Sequence, residues 1–170
     1  MATHTSAALT KWRRNAVRQI AASRKSTLAF IAHLPAREIL RRRTLDEWSV
    51  KDLLAHLMSC DEETIRRLRL IERGRADGIL WFNMAIADRF NARTVGAARR
   101  LSLPAVLRRM ARARAELITR LETLPVKALA DPSHAYTVQS WLPVPGWKHE
   151  RDHMSEARAW WRSRRATSAR

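Results

Sequence analysis

An all-α bundle is the fold class the sequence predicts, and three observations predict it. Only four glycines interrupt 170 residues. Apolar residues recur mostly at three- and four-residue steps, the period of a helix with one buried face. Serines and prolines stand where such helices would begin or end. The length suits one domain, residues 1–170 with a core over about 7–163, large enough to bury a core without a disulfide.

The first helix is expected over residues 7–33, with Trp12, Ala16, Ile20, Leu28, Ile31 and Leu34 supplying apolar positions before Pro35 stops it. A basic connection with Arg41, Arg42 and Arg43 follows. Ser49 has the character of an N-cap, because its hydroxyl can accept from a first-turn amide while Asp52 places negative charge at the positive helix end. That helix should run to residue 73 and stop at Gly74. Gly78 precedes a shorter helix over residues 81–100. Ser102-Leu103-Pro104 reads as a cap and first-turn proline opening a helix to residue 124, closed by Pro125. Residues 126–146 form a long irregular connection with Pro132, Pro143, Pro145 and Gly146, and an extended piece is expected at 136–142. Connections of this length often line a site. The last helix is expected over 147–163, with 164–170 as a frayed basic tail.

Composition bounds the function. Lys and Arg number 33 against 16 Asp and Glu, for a net charge of +17, and only Lys11, Lys25, Lys51, Lys127 and Lys148 of the cations are lysine. That field attracts polyanions, so nonspecific nucleic-acid association is one reading. The charge is scattered over every helix, however, which equally describes solvated outer faces. The single cysteine, Cys60, excludes an internal disulfide and suits the reducing cytoplasm. No stretch approaches a signal peptide or a membrane span.

The residues that carry chemistry are histidines. Steps of three and four join Leu53, His56, Leu57, Cys60 and Thr64 on one helical stripe, and His149, His153, Ala157 and Trp160 on another. A histidine pair one turn apart can chelate an ion, and a third imidazole from a facing helix completes the three-ligand set of a catalytic site. A single inward histidine would be an ordinary core residue; His56, His149 and His153 on two inward stripes point to a shared metal. The run His149-Glu150-Arg151-Asp152-His153 also fits the H-E-x-x-H pattern of zinc proteases, but no further histidine follows and no sheet is expected to hold a peptide. Glu150 and Asp152 are candidates for moving a proton, although both fall off the inward stripe by the helical count.

The run from Trp48 through Ser49, Val50, Lys51, Asp52, Leu53, Leu54 and Ala55 to His56 and Leu57 resembles the helix opening of the DinB-like superfamily, and of its ClbS/DfsB four-helix-bundle branch. Asp88-Arg89-Phe90-Asn91 is similar to that branch's middle segment, and the run from His149 to Trp160 to its terminal segment. The resemblance spans residues 28–161. Glu150 stands where the terminal pattern often has an aromatic, Asp152 where it has glutamate, and Ala157 where it has isoleucine. The resemblance implies a four-helix bundle with an additional short helix, and a divalent ion on His56, His149 and His153: Zn²⁺ first, with Ni²⁺, Fe²⁺ or Mn²⁺ as other occupants. It also implies hydrolase or thiol-transferase chemistry on a small electrophilic metabolite, with protection from a DNA-damaging compound as one role.

Further candidates for the pocket are Trp48, Cys60, Asp88, Asn91 and Trp147. Cys60, one turn after His56, can ligate a cation, yet a small buried apolar role is the commoner use of such a residue. Trp48, Trp81, Trp141 and Trp147 sit near helix ends or in the long connection, where they could wall a cavity or simply pack. The cavity itself is expected beside His56, roofed by residues 126–146. A small-molecule substrate and a monomer or homodimer complete the expectation.

Overall fold

The computed structural model describes residues 5–42 and 44–168, so Arg43 and the last two residues of the expected tail lie outside the described residues. Four long helices form the bundle: α1 (Ser6–Ala32), α3 (Val50–Glu72), α5 (Leu103–Thr123) and α7 (His149–Ser168). Two short helices, α2 (Ala36–Ile39) and α6 (Val138–Trp141), and the mid-length α4 (Met84–Ala98) lie between them. Among the described residues there is no strand, and no helix is long and apolar enough to cross a membrane.

Local chemistry sets the helix ends. Ser49 and Asp52 form a reciprocal capping box: Asp52 N–H donates to Ser49 Oγ at 3.0 Å and Ser49 N–H to Asp52 Oδ2 at 3.1 Å. Just before it, a tight turn with Asp46 at φ 53° pairs Leu45 with Trp48 and delivers the Trp48 ring to the start of α3. Gly74, at φ 67°, ends α3 in the left-handed conformation that favours glycine. Ser102 caps α5 with Pro104 in its first turn, and Asn83 caps α4.

Three boundaries differ from expectation. The extended piece expected at 136–142 is instead the helical turn α6, capped by Thr137, whose hydroxyl accepts from Ser140 N–H. The last helix is preceded by a wide π-type turn, Val144–Lys148, and continues to Ser168. Its expected frayed end is anchored, since Arg164 Nε donates to Glu38 Oε2 at 3.0 Å, tying α7 to α2. A carboxylate 126 residues away in sequence is invisible to local pattern.

The core is split in two. One cluster holds Ala16, Ile20, Leu68, Leu117, Leu121 and Trp147, and the other Ile31, Leu53, Leu54, Met58, Met110, Met154 and Ala157. Between them lies a layer of buried charge contributed by all four long helices. Arg24 Nε donates to Glu150 Oε1 at 2.8 Å and its Nη2 to Asp61 Oδ2 at 3.1 Å; Arg114 Nε donates to Asp61 Oδ2 at 2.9 Å and its Nη2 to Glu150 Oε2 at 2.7 Å. Arg114 Nη1 also reaches the carbonyls of Ile20 and Gly146, at 2.9 and 3.1 Å. Two arginines balance two carboxylates, the condition under which buried ions are tolerated, while Asp61 Oδ1 has no hydrogen-bond partner among the described residues.

Candidate metal centre

The capping box fixes where α3 begins, and therefore where His56 points six residues later. The Nε2 atoms of His56 and His149 are 2.7 Å apart, and that of His153 is 3.1 Å from His149 Nε2. The His56 and His153 rings lie edge to face, with centroids 5.1 Å apart. Three imidazoles from two helices therefore meet through the same ring nitrogen, with His149 Nε2 between the other two.

Electrostatics make this cluster unusual. Burial first, then the neighbouring His149 and His153, hold His56 down to about 3, while a hydrogen bond to the Asn91 side chain pulls the other way. His149 is lowered too, by burial and then by His153. Both rings are thus neutral at ordinary pH. One N–H can bridge one pair of these nitrogens, so a third lone pair is left facing another acceptor. A cation at the centre resolves the conflict. Nitrogens ~2.1 Å from a shared ion stand ~3.0–3.4 Å from one another, a spacing the His149–His153 pair already has at 3.1 Å and the His56–His149 pair reaches by opening ~0.3–0.7 Å from 2.7 Å.

Two side chains outside the triad extend it. Cys60 Sγ lies 3.7 Å from His56 Nε2, and His56, Cys60 and His149 together form a group whose ligand atoms fall within 4.8 Å of one another. Burial, and then the Asp61 charge, push the Cys60 thiol up to about 12, so it is a neutral thiol in the absence of a cation. Glu156, which sequence reading did not single out for this role, places Oε2 3.4 Å from His153 Nδ1. That contact favours the proton on Nδ1 and leaves Nε2 as the ligand atom. The signal was present as the i,i+3 spacing from His153. Trp48 leans on His56 with ring centroids 5.0 Å apart and on His153 at 6.5 Å, closing one side.

The remaining expected site residues divide. Asn91 reaches His56 and lines the adjoining cavity, as does Cys60. Asp88 is exposed and outside the cavity wall. Trp147 is packed into the first core cluster, because the π-type turn directs it inward, and it is not part of the cavity wall beside the histidines. Asp152 is exposed and acts on His149 only through its charge.

Glu150 requires the clearest correction. It is 1% exposed, not on an outer face, and its two oxygens accept from Arg24, Arg114, Ser23 and Thr27. Burial pushes its carboxyl up, but Arg114 and Arg24 outweigh that and leave it below the ordinary range. It therefore faces the ion layer with every acceptor engaged, and is not placed to serve as the base of a zinc protease.

A cavity of about 430 Å³ adjoins the histidines. Tyr136, Trp141, Val144 and Pro145 come to its wall from the long connection, and Trp81 and Phe90 from the region around α4. Ring faces and two polar ends give it the make-up of a small-molecule site.

Residues 19–157 match the family model of the DinB superfamily. The chain belongs to the DinB superfamily. Members of this superfamily often bind metal, which agrees with the convergence of His56, His149 and His153. No curated protein and no solved structure matches this DinB superfamily chain.

Proposed function

We propose that this DinB superfamily protein is a metal-dependent enzyme, of hydrolase or thiol-transferase type, acting on a small electrophilic metabolite. The observation that carries the reading is the gathering of three imidazole Nε2 atoms beside an aromatic cavity. Resemblance to the ClbS/DfsB branch supports a protective role against a DNA-damaging compound. His56, His149 and His153 would hold Zn²⁺, or Ni²⁺, Fe²⁺ or Mn²⁺, with Cys60 in reach as a further donor. A bound divalent ion supplies a Lewis acid and lowers the pKa of a water or thiol. Glu156 orients His153, Trp48 screens the cluster from water, and the aromatic walls hold the substrate body beside it. The protein would work in the cytoplasm as a monomer or homodimer.

The deciding experiment is elemental analysis of protein purified without a histidine tag, together with His56→Ala and His153→Ala. One equivalent of metal per chain is expected, lost in both variants with helical content retained, because a bundle of this size does not depend on its metal to fold. Unchanged metal content in both would end the proposal.

The net charge of +17 favours a second reading, a nonspecific nucleic-acid-associated protein without catalysis. Titration of labelled DNA at two salt concentrations tests it. Weak binding that falls by about two or more orders of magnitude from low to physiological salt is the behaviour of scattered phosphate contacts. Tight, sequence-selective binding at physiological salt would put this reading first.

A further inference from the structure

Arg67 stands in the cavity wall on α3, eleven residues beyond His56 and so ~16 Å further along the helix axis. Its side chain is only 10% exposed. The guanidinium lies over three rings, 5.0 Å from the centroid of Trp81, 4.8 Å from Phe82 and 5.8 Å from Trp141. Nε donates to Glu63 Oε1 at 2.9 Å, but the two terminal amino groups have no protein acceptor among the described residues.

That incompleteness sets it apart from the other buried arginines. Arg24 and Arg114 each spend their terminal groups on carboxylates and backbone carbonyls. Glu63 is shared with Arg66, whose Nε and Nη2 donate to its two oxygens at 2.7 and 2.8 Å, and takes only Nε from Arg67. Arg66 is half exposed and outside this cavity wall, so what this end of the cavity offers a ligand is the pair of unspent terminal groups on Arg67. Both groups open onto the cavity, where an acceptor on a ligand can reach them.

We propose that the cavity binds a monoanion with a flat apolar body, its carboxylate paired with the free edge of Arg67 and its opposite end beside the histidines. A planar fork matches a carboxylate in two parallel hydrogen bonds. Tyr136, Phe90 and Trp141 supply faces for an aromatic body. Both side chains lean toward the helix N-terminus and arginine is the longer, so the ligand spans ~10 Å, the size of an aryl or arylalkyl carboxylate. The inference rests on the reading of this cavity as the substrate pocket.

The probe is biphenyl-4-carboxylate, set against the isosteric neutral biphenyl-4-methanol by calorimetric titration at constant ionic strength. The full-length protein is used as purified and again after chelator treatment. The carboxylate is expected to bind about tenfold or more tightly in both preparations, since charge-assisted pairs with buried arginine are strong. Arg67→Gln should bring the two ligands within about twofold of each other, and Arg67→Lys, which keeps charge but not the fork, should give an intermediate preference. Equal binding by the unaltered protein overturns the proposal. So does a full preference surviving in either variant, which would place the anion on other cations, and so does a preference lost on chelation, which would place it on a metal. A chain that binds no metal but keeps the Arg67-dependent preference would refute the metal-dependent enzyme alone.

Discussion

Helices α3 and α7 each carry two neighbouring polar residues that meet opposite environments: Cys60 beside Asp61, and His149 beside Glu150. Asp61 and Glu150 turn into the ion layer, where two arginines, a serine and a threonine surround them. Cys60 and His149 turn the other way, toward a cluster with no counter-charge at its centre. One set is charge-balanced by the chain itself, with Asp61 Oδ1 alone in it left without a partner among the described residues; the other is balanced only by something added. A buried polar group that the protein satisfies is a structural joint, whereas one left for an outside partner is the better candidate for function.

The sharpest way to break this division is to exchange the consequences of the two neighbours. His149→Ala should abolish stoichiometric metal binding while leaving thermal stability of the metal-free protein nearly unchanged, read by elemental analysis and by melting after chelation. Glu150→Ala should do the reverse, lowering unfolding free energy by about 3–5 kcal/mol because Arg24 and Arg114 keep buried charge with too little to answer it. Denaturant titration measures that loss. If Glu150→Ala instead removed metal at full stability, the two sets would not be distinct.

Smaller effects sharpen the boundary. Glu156→Gln keeps the shape but weakens the hold on His153, and should reduce metal affinity about 10–100-fold without removing the site, as competition with a chelator would show. The ion pair at the far end of α7 gives the smallest effect, on the docking of the last turns. Hydrogen bonds from Arg41 and Arg164 hold Glu38 down to about 2, against an ordinary 4.5. A carboxylate depressed on folding contributes fully above its ordinary pKa, and that contribution disappears as pH falls through the folded one. Amide-exchange protection around Arg164 should therefore decline between about pH 4.5 and pH 2, and Glu38→Gln should remove that dependence.

Much of this was legible in the sequence. The Ser49 cap, the Pro104 first turn and the stop at Gly74 depend on residues within a turn of each other, and so did the pairing of His149 with His153. What failed was the assignment of the central stripe on α7. Met154 and Ala157 are buried with Glu150 above them, while His149, His153 and Trp160 run along the half-exposed flank. A charged residue in the centre of a stripe reads as surface unless its partners are known, and Arg24 and Arg114 lie 126 and 36 residues away. Arg67 escaped notice for a related reason: its meaning comes from rings on the α4 region and α6, which only the fold assembles.

The π-type turn at Val144–Lys148 has a consequence for how this chain tolerates changes of length. Each residue added to or removed from a helical turn swings everything after it by ~100°, so a single deletion there would rotate the whole of α7 like a key in a lock. His149, His153 and Glu150 would leave their places together, because one rigid rod carries them all. Upstream, the exposed residues around Pro132 sit before this setting and can absorb an insertion without changing it. Variation in length should accordingly gather before Pro143, with the five residues after it held to a fixed count.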